Sequence, residues 1–290
     1  MILIECFSVK IAECACLKCY LHHQSTELRR NRYEWQPKLR PAVLILPGGG
    51  YLYIADSESD PIAITYLRAG YNTFVLEYSV GDASEYPQPL VEAALSLYYI
   101  REHSIDFNID VEKIAVCGLS AGAHLAGMIA TQWKLKAFHT ELGIPYGMNR
   151  PNALILAYPL IDLRLFNAGD EDKGKKFGKM LWDECKNVNT LENICTDTPP
   201  MFIWCTRDDP IIPSNQSLQL ACRLSEKDIP YELHVFHIGD HGLSTCDNLS
   251  LYGKYGLRDY PINVKQWTSL SINWLNALFL FDEYSPDKYK

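Results

Sequence analysis

Gly118-Leu119-Ser120-Ala121-Gly122 is the segment of this chain richest in chemical possibility. Ile114-Ala115-Val116-Cys117 precedes it and Ala123-His124-Leu125-Ala126 follows, so it reads as strand, tight turn and small-residue helix. Such a turn lifts a serine hydroxyl above the carboxyl end of its strand in strained backbone geometry, and side chains at the flanking glycines would collide. Ser120 is therefore expected to be a nucleophile for attack on a carbonyl. Free amides and the dipole at the helix start favour the negative charge that develops there. A serine that only caps the helix is the alternative. A bare Gly-x-Ser-x-Gly is common by chance, but one with a strand before and a helix after is much rarer.

A serine nucleophile needs donors for the oxyanion. Leu46-Pro47-Gly48-Gly49-Gly50-Tyr51 follows an apolar run, and its glycines let the main chain approach a ligand. We expect donors from Gly49, Gly50 and Ala121, with Tyr51 and Trp182 against the substrate. A phosphate-binding loop is excluded, because neither the Walker lysine nor Gly-x-Gly-x-x-Gly spacing is present.

The base should come late in the chain. Tyr231 to Leu243 offers three histidines. His234 alternates with apolar residues inside a strand, His237 lies at the strand end, and His241 sits in a Gly-Asp-His-Gly loop free to reach back. His241 is assigned the base role. His124, one turn beyond Ser120, reads as a packing or hydrogen-bonding residue near the site, and Cys117 as a small buried residue. The acid stays open among three carboxylates: Asp209, followed by the rigid Pro210-Ile211-Ile212-Pro213 turn, its neighbour Asp208, and Asp162 in Tyr158-Pro159-Leu160-Ile161-Asp162. Asp209 is favoured, and Ser120, Asp209, His241 is then the chain order of the triad.

These residues need a frame. Unbroken apolar runs at Ala42–Leu46, Thr73–Tyr78, Lys113–Cys117, Ala153–Ala157, Met201–Cys205 and Tyr231–Phe236 read as strands buried on both faces. Helix-length segments at Pro89–His103, Ala121–Trp133, Ser214–Glu226 and Trp267–Phe279 separate several of them. Strands alternating with helices predict an α/β fold with a mostly parallel, doubly wound sheet and helices on both faces. Two further runs, Ile2–Val9 and Cys14–Leu21, predict an antiparallel N-terminal pair. Residues 167–198 break the rhythm and read as a lid insertion within a single domain spanning 1–290. No solenoid repeat is visible.

The 290 residues are 48% hydrophobic and 21% charged, which excludes disorder, a coiled coil and a disulfide miniprotein. No apolar run approaches the roughly 20 residues of a membrane span, so no membrane partner is expected. The net charge of −8 without a basic stripe argues against nucleic acid. Met1-Ile2-Leu3-Ile4-Glu5-Cys6 has no basic start and does not read as a signal peptide. A cytoplasmic setting with reduced thiols follows for the ten cysteines. Cys14, Cys16 and Cys19 lack a second pair for a closed zinc site, and a strand there would put Cys19 on the opposite face from the other two. No metal or cofactor is expected, and self-association is left open.

With these pieces assembled, the chain resembles the α/β-hydrolase superfamily, and more narrowly its bacterial acetyl-esterase or acetylxylan-esterase-like branch. The resemblance lies in Arg40 to Tyr51, Cys117 to Gly122, Thr198-Pro199-Pro200, Asp208-Asp209-Pro210 and His241-Gly242-Leu243. It implies a metal-free Ser-Asp-His carboxylesterase acting on short acyl esters or acetylated sugars, a small-molecule ester being the partner. Pro47 stands where related lipases carry histidine before the glycines, and Ala123 replaces a frequent glycine. Neither change removes a reacting group. Short acyl groups fit the charged insertion, whose large apolar residues are mainly Phe177, Met180, Leu181 and Trp182. A small amidase with the same triad, or a non-catalytic ligand receptor, are the alternatives.

Overall fold

Five central strands carry the apolar runs that burial on both faces demands. In the computed structural model, which describes residues 4–23, 39–162, 189–251, 261 and 263–280, they join an eight-stranded sheet. Its strands are β1 (Ile4–Ala12), β2 (Ala15–His22), β3 (Arg40–Leu46), β4 (Asn72–Glu77), β5 (Ile109–Leu119), β6 (Ala153–Ala157), β7 (Met201–Thr206) and β8 (Tyr231–Phe236). The spatial order is β1-β2-β4-β3-β5-β6-β7-β8. From β4 to β8 every neighbouring pair is parallel, whereas β1–β2 and β2–β4 are antiparallel.

Parallel neighbours need crossovers, and helices supply them on both faces. The longer helices are α1 (Asp60–Arg68), α2 (Gln88–Glu102), α3 (Ala121–Gln132), α4 (Asn215–Glu226) and α5 (Gln266–Leu280). Alternate strand residues face opposite layers. Leu44, Leu46, Val116, Leu154 and Ile203 pack with α2, α3 and α4, while Val43, Ile45, Ala115, Ile155 and Phe202 pack with α1 and α5. Each fully buried side chain of this kind contributes about 1.5–3 kcal/mol, so the sheet is a rigid platform for its carboxyl-edge loops. Trp204 of β7 stacks on Trp267 of α5 with ring centroids 5.0 Å apart, which ties the last helix to the strand preceding the Arg207–Pro213 loop.

The N-terminal hairpin departs from the sequence expectation by a few residues. β1 runs on to Ala12 and β2 starts at Ala15, so Cys14 lies in the two-residue turn rather than in a strand. Cys16 and Cys19 do face opposite sides, with Cys19 buried and Cys16 half-buried. β5 begins at Ile109, earlier than its apolar run, because Asp110 to Lys113 are polar or only half-buried. α1 adds a crossover beyond the four read from periodicity. Pro61 in its first turn, where no amide partner is needed, marks its start.

Of the expected insertion, residues 189–198 are described, and residues 167–188, with Phe177, Met180, Leu181 and Trp182, lie outside the described residues. A short helical turn, Thr190–Asn193, is capped by the Asn189 side chain, which accepts the Leu191 amide at 2.9 Å. Thr190 sits against Gly127 of α3, where an added Cβ would come within 2.6 Å of the threonine hydroxyl. Among the described residues, no helix is long and apolar enough to cross a membrane.

Candidate active site

Ser120 stands between the end of β5 and the start of α3 with φ 54° and ψ −117°. A non-glycine residue holds such a conformation only where its surroundings over-determine it. Here the Ser120 amide donates to the Ala157 carbonyl at 3.0 Å, and its own carbonyl accepts from Ala123 and His124. Gly122 shows why the motif needs its glycine. A Cβ there would strike the Leu46 and Pro47 carbonyls, backbone atoms that cannot swing aside. Only 9% of Ser120 is exposed.

The hydroxyl is met by the late histidine. Ser120 Oγ lies 2.8 Å from His241 Nε2, and His241 Nδ1 lies 2.7 Å from Asp209 Oδ2. The line therefore runs serine, imidazole, carboxylate. The other Asp209 oxygen accepts the amides of Ile211 and Ile212 at 2.8 and 2.9 Å, so the Pro210–Pro213 turn fixes the carboxylate's orientation. Its side chain is fully buried, and His241 is 12% exposed. Of the three candidate acids, Asp208 turns outward to Arg207 at 2.8 Å, and Asp162 is buried in the segment after β6 with its amide on Gln216. Both imidazole nitrogens are already engaged, which leaves neither of those carboxylates a place on the ring.

The other two histidines lie elsewhere. His234 is half-buried, bonds Glu232 at 2.7 Å and packs on Phe202 and Phe236, and His237 is exposed. His124 is fully buried, with Nδ1 2.8 Å from the Tyr51 hydroxyl. Tyr51 is 7% exposed and its hydroxyl engages His124, pinning the glycine loop to α3. Burial pushes the Tyr51 hydroxyl well above its ordinary pKa, with Tyr78 adding to the rise. Trp182 lies outside the described residues.

The Gly48–Tyr51 loop is held at several points. Tyr78 donates to the Pro47 carbonyl at 2.6 Å, Gly48 donates to the Glu58 carboxylate at 2.7 Å, and Gly81 donates to the Tyr51 carbonyl at 2.7 Å. Gly49 has φ +119°, and a Cβ on it would strike the Tyr53 carbonyl. The amides of Gly49, Gly50 and Ala121 donate to no acceptor among the described residues. A Cβ built on Gly48 would lie 2.9 Å from the Ser120 Cβ, so the loop backs directly onto the serine.

Comparison with known proteins gives the family. The family model described as BD-FAE matches residues 33–224. The chain belongs to the BD-FAE family. A sequence relative of this BD-FAE chain is endo-1,4-beta-xylanase B of Butyrivibrio fibrisolvens, 31% identical over 72% of the chain and 33% of that protein. Another is the acetyl esterase of Salmonella paratyphi B, 27% identical over 70% of the chain and 65% of that protein. The chain thus spans less than two thirds of the curated relatives it matches. MGS-M1, an α/β-hydrolase enzyme from a deep-sea metagenome library of the Medee basin, superposes with a TM-score of 0.75 at 32% identity, over 96% of this chain and 99% of that one. The fold of this BD-FAE member is accordingly that of an α/β hydrolase.

Sequence reasoning missed Glu58 and Tyr158. Glu58 is buried in a single helical turn after the glycine loop, and Tyr158 follows the residue that anchors the Ser120 amide. Their hydroxyl–carboxylate bond joins positions 100 residues apart, and no local pattern announces such a pair.

Proposed function

We propose that this BD-FAE chain is a serine carboxylesterase that hydrolyses short acyl esters, acetyl esters above all, through an acyl-enzyme on Ser120. The observation that carries the reading is the unbroken line of 2.8 and 2.7 Å from Ser120 through His241 to Asp209. Asp209 accepts a hydrogen bond from Nδ1–H and so leaves Nε2 with its lone pair toward the serine. As Ser120 Oγ bonds to the ester carbonyl carbon, Nε2 takes the hydroxyl proton and the carbonyl oxygen becomes an oxyanion. The amides of Gly49, Gly50 and Ala121 are the donors for that charge, each able to lower the barrier by roughly 3 kcal/mol. The tetrahedral centre collapses, the alcohol leaves with the proton from Nε2, and an acyl-serine remains. Water then repeats the sequence: Nε2 takes its proton, the acid departs, and the serine regains its hydrogen.

Acetyl selectivity is supported by the name of the Salmonella relative and by the charged composition of residues 167–198. Acetylated sugars are the natural extension of that reading. The test is a comparison of Ser120→Ala with the parent on p-nitrophenyl acetate, butyrate and octanoate and on the matching acetamide. The reading requires loss of nearly all turnover in the variant, with acetyl the best acyl group and the ester far faster than the amide. Equal rates for variant and parent would refute the mechanism, and a preference for octanoate would refute the short-acyl assignment.

A further inference from the structure

Glu58 is 4% exposed, and burying a carboxylate carries a desolvation cost that an apolar filler would avoid. Its two oxygens reach two different loops. Oε2 accepts the Gly48 amide at 2.7 Å, and Oε1 accepts the Tyr158 hydroxyl at 2.8 Å. Tyr158 in turn accepts the amide of Ser244, on the same loop as His241, at 3.1 Å. The Ser244 hydroxyl closes the ring by donating to the Ser57 carbonyl, next to Glu58, at 2.5 Å. The Tyr158 ring lies edge-on to the His241 imidazole, with centroids 5.0 Å apart, and a Cβ on Gly242 would come within 3.7 Å of Glu58 Oε1.

We propose that Glu58 is a positioning residue that couples the glycine loop on one side of Ser120 to the histidine loop on the other. The inference rests on the serine-esterase reading above. Glu58 holds the Gly48 amide and the Tyr158 hydroxyl, so its contribution is geometric. Holding the Gly48 amide fixes the peptide plane that leads into Gly49, and with it the aim of the oxyanion donors. Holding Tyr158 fixes the wall against which the imidazole rests. An amide at this position cannot serve both partners as the carboxylate does. Glutamine offers one oxygen and one donating nitrogen where two donors converge, so either Gly48 or Tyr158 loses its acceptor.

The experiment uses the full chain as parent, Glu58→Gln, Tyr158→Phe and the double variant. Active sites are first counted with a fluorophosphonate reporter, then kcat and KM on p-nitrophenyl acetate are expressed per counted site. Glu58→Gln is expected to lower kcat per site by about 10- to 100-fold, the scale of a small misalignment, with KM within about threefold. Tyr158→Phe keeps the ring packing and is expected to lose at least about threefold. The double variant should be no worse than Glu58→Gln, as for members of one network. A purely structural role would reduce the number of counted sites and leave kcat per site untouched. That outcome, or additive losses, overturns the coupling. Should Glu58→Gln fail to fold, Tyr158→Phe decides the matter by the same per-site kcat. Failure of the parent to label at Ser120 would remove the esterase reading and the coupling together, whereas labelling with unchanged kcat in both variants removes the coupling alone.

Discussion

Asp208 and Asp209 are adjacent in sequence, yet exchanging each for asparagine should have very different consequences. Asp209 uses one oxygen for the Ile211 and Ile212 amides and the other for His241 Nδ1. In Asp209→Asn the remaining oxygen stays with the two amides, which can only donate, so the new NH2 group faces the imidazole. Nδ1 must then accept, the ring proton moves to Nε2, and Nε2 can no longer take a proton from Ser120, 2.8 Å away. A wrong tautomer of this kind costs about 10⁴ in kcat in a serine triad, equivalent to about 5 kcal/mol of barrier. Asp208→Asn removes only a surface ion pair with Arg207, worth about 0–1 kcal/mol of stability, and should leave kcat within about twofold. Steady-state turnover of p-nitrophenyl acetate by the two variants, with circular dichroism to confirm folding, measures the contrast. A crippled Asp208→Asn, or an Asp209→Asn within tenfold of the parent, would refute the assignment of the acid.

Three further outcomes follow from the packing. Gly122→Ala must displace the backbone carbonyls of Leu46 and Pro47 and should lose about 1–3 kcal/mol or more in urea unfolding, and an unchanged midpoint would contradict the close approach. Burial pushes the Cys117 thiol up, and Cys19 up to about 12, so a thiol reagent should modify exposed Cys6, Cys14 and Cys222 in the native protein and spare those two until unfolding. Mass-spectrometric mapping of the modified cysteines checks this. Alkaline pH should destabilise the fold, because burial raises Tyr51, Tyr66, Tyr78 and Tyr158 above the ordinary tyrosine value of 10.0. The stability they confer is complete below that value. As pH rises past it, the unfolded chain releases protons that the native state retains, so the urea midpoint should fall; constancy beyond that pH would contradict the burial.

The strand-turn-helix around Ser120 was legible because its geometry is local: two glycines, a preceding strand and a following helix all lie within a dozen residues of it. The central strands were legible for a similar reason, since burial on both faces leaves an unbroken apolar run. α1 escaped the periodicity reading, although Pro61 marks its first turn. Asp208 and Asp209 are adjacent in sequence, and only the fold shows that the Asp209 carboxylate is the one against His241 and the Ile211 and Ile212 amides. That His124 holds the Tyr51 hydroxyl could not be read from the place of Tyr51 beside the glycines, because the two are 73 residues apart. Glu58 was invisible for the deepest reason: its partner Tyr158 lies after β6, and Ser244, whose amide Tyr158 accepts, lies after β8.

The most direct test of the central claim is to quench a reaction with p-nitrophenyl acetate in acid during its first turnovers and map the acetyl group by mass spectrometry. A covalent acetyl on Ser120, absent when His241 is replaced by alanine, is the predicted result. Steady turnover with no acetyl on Ser120, or with the adduct on another residue, would contradict it.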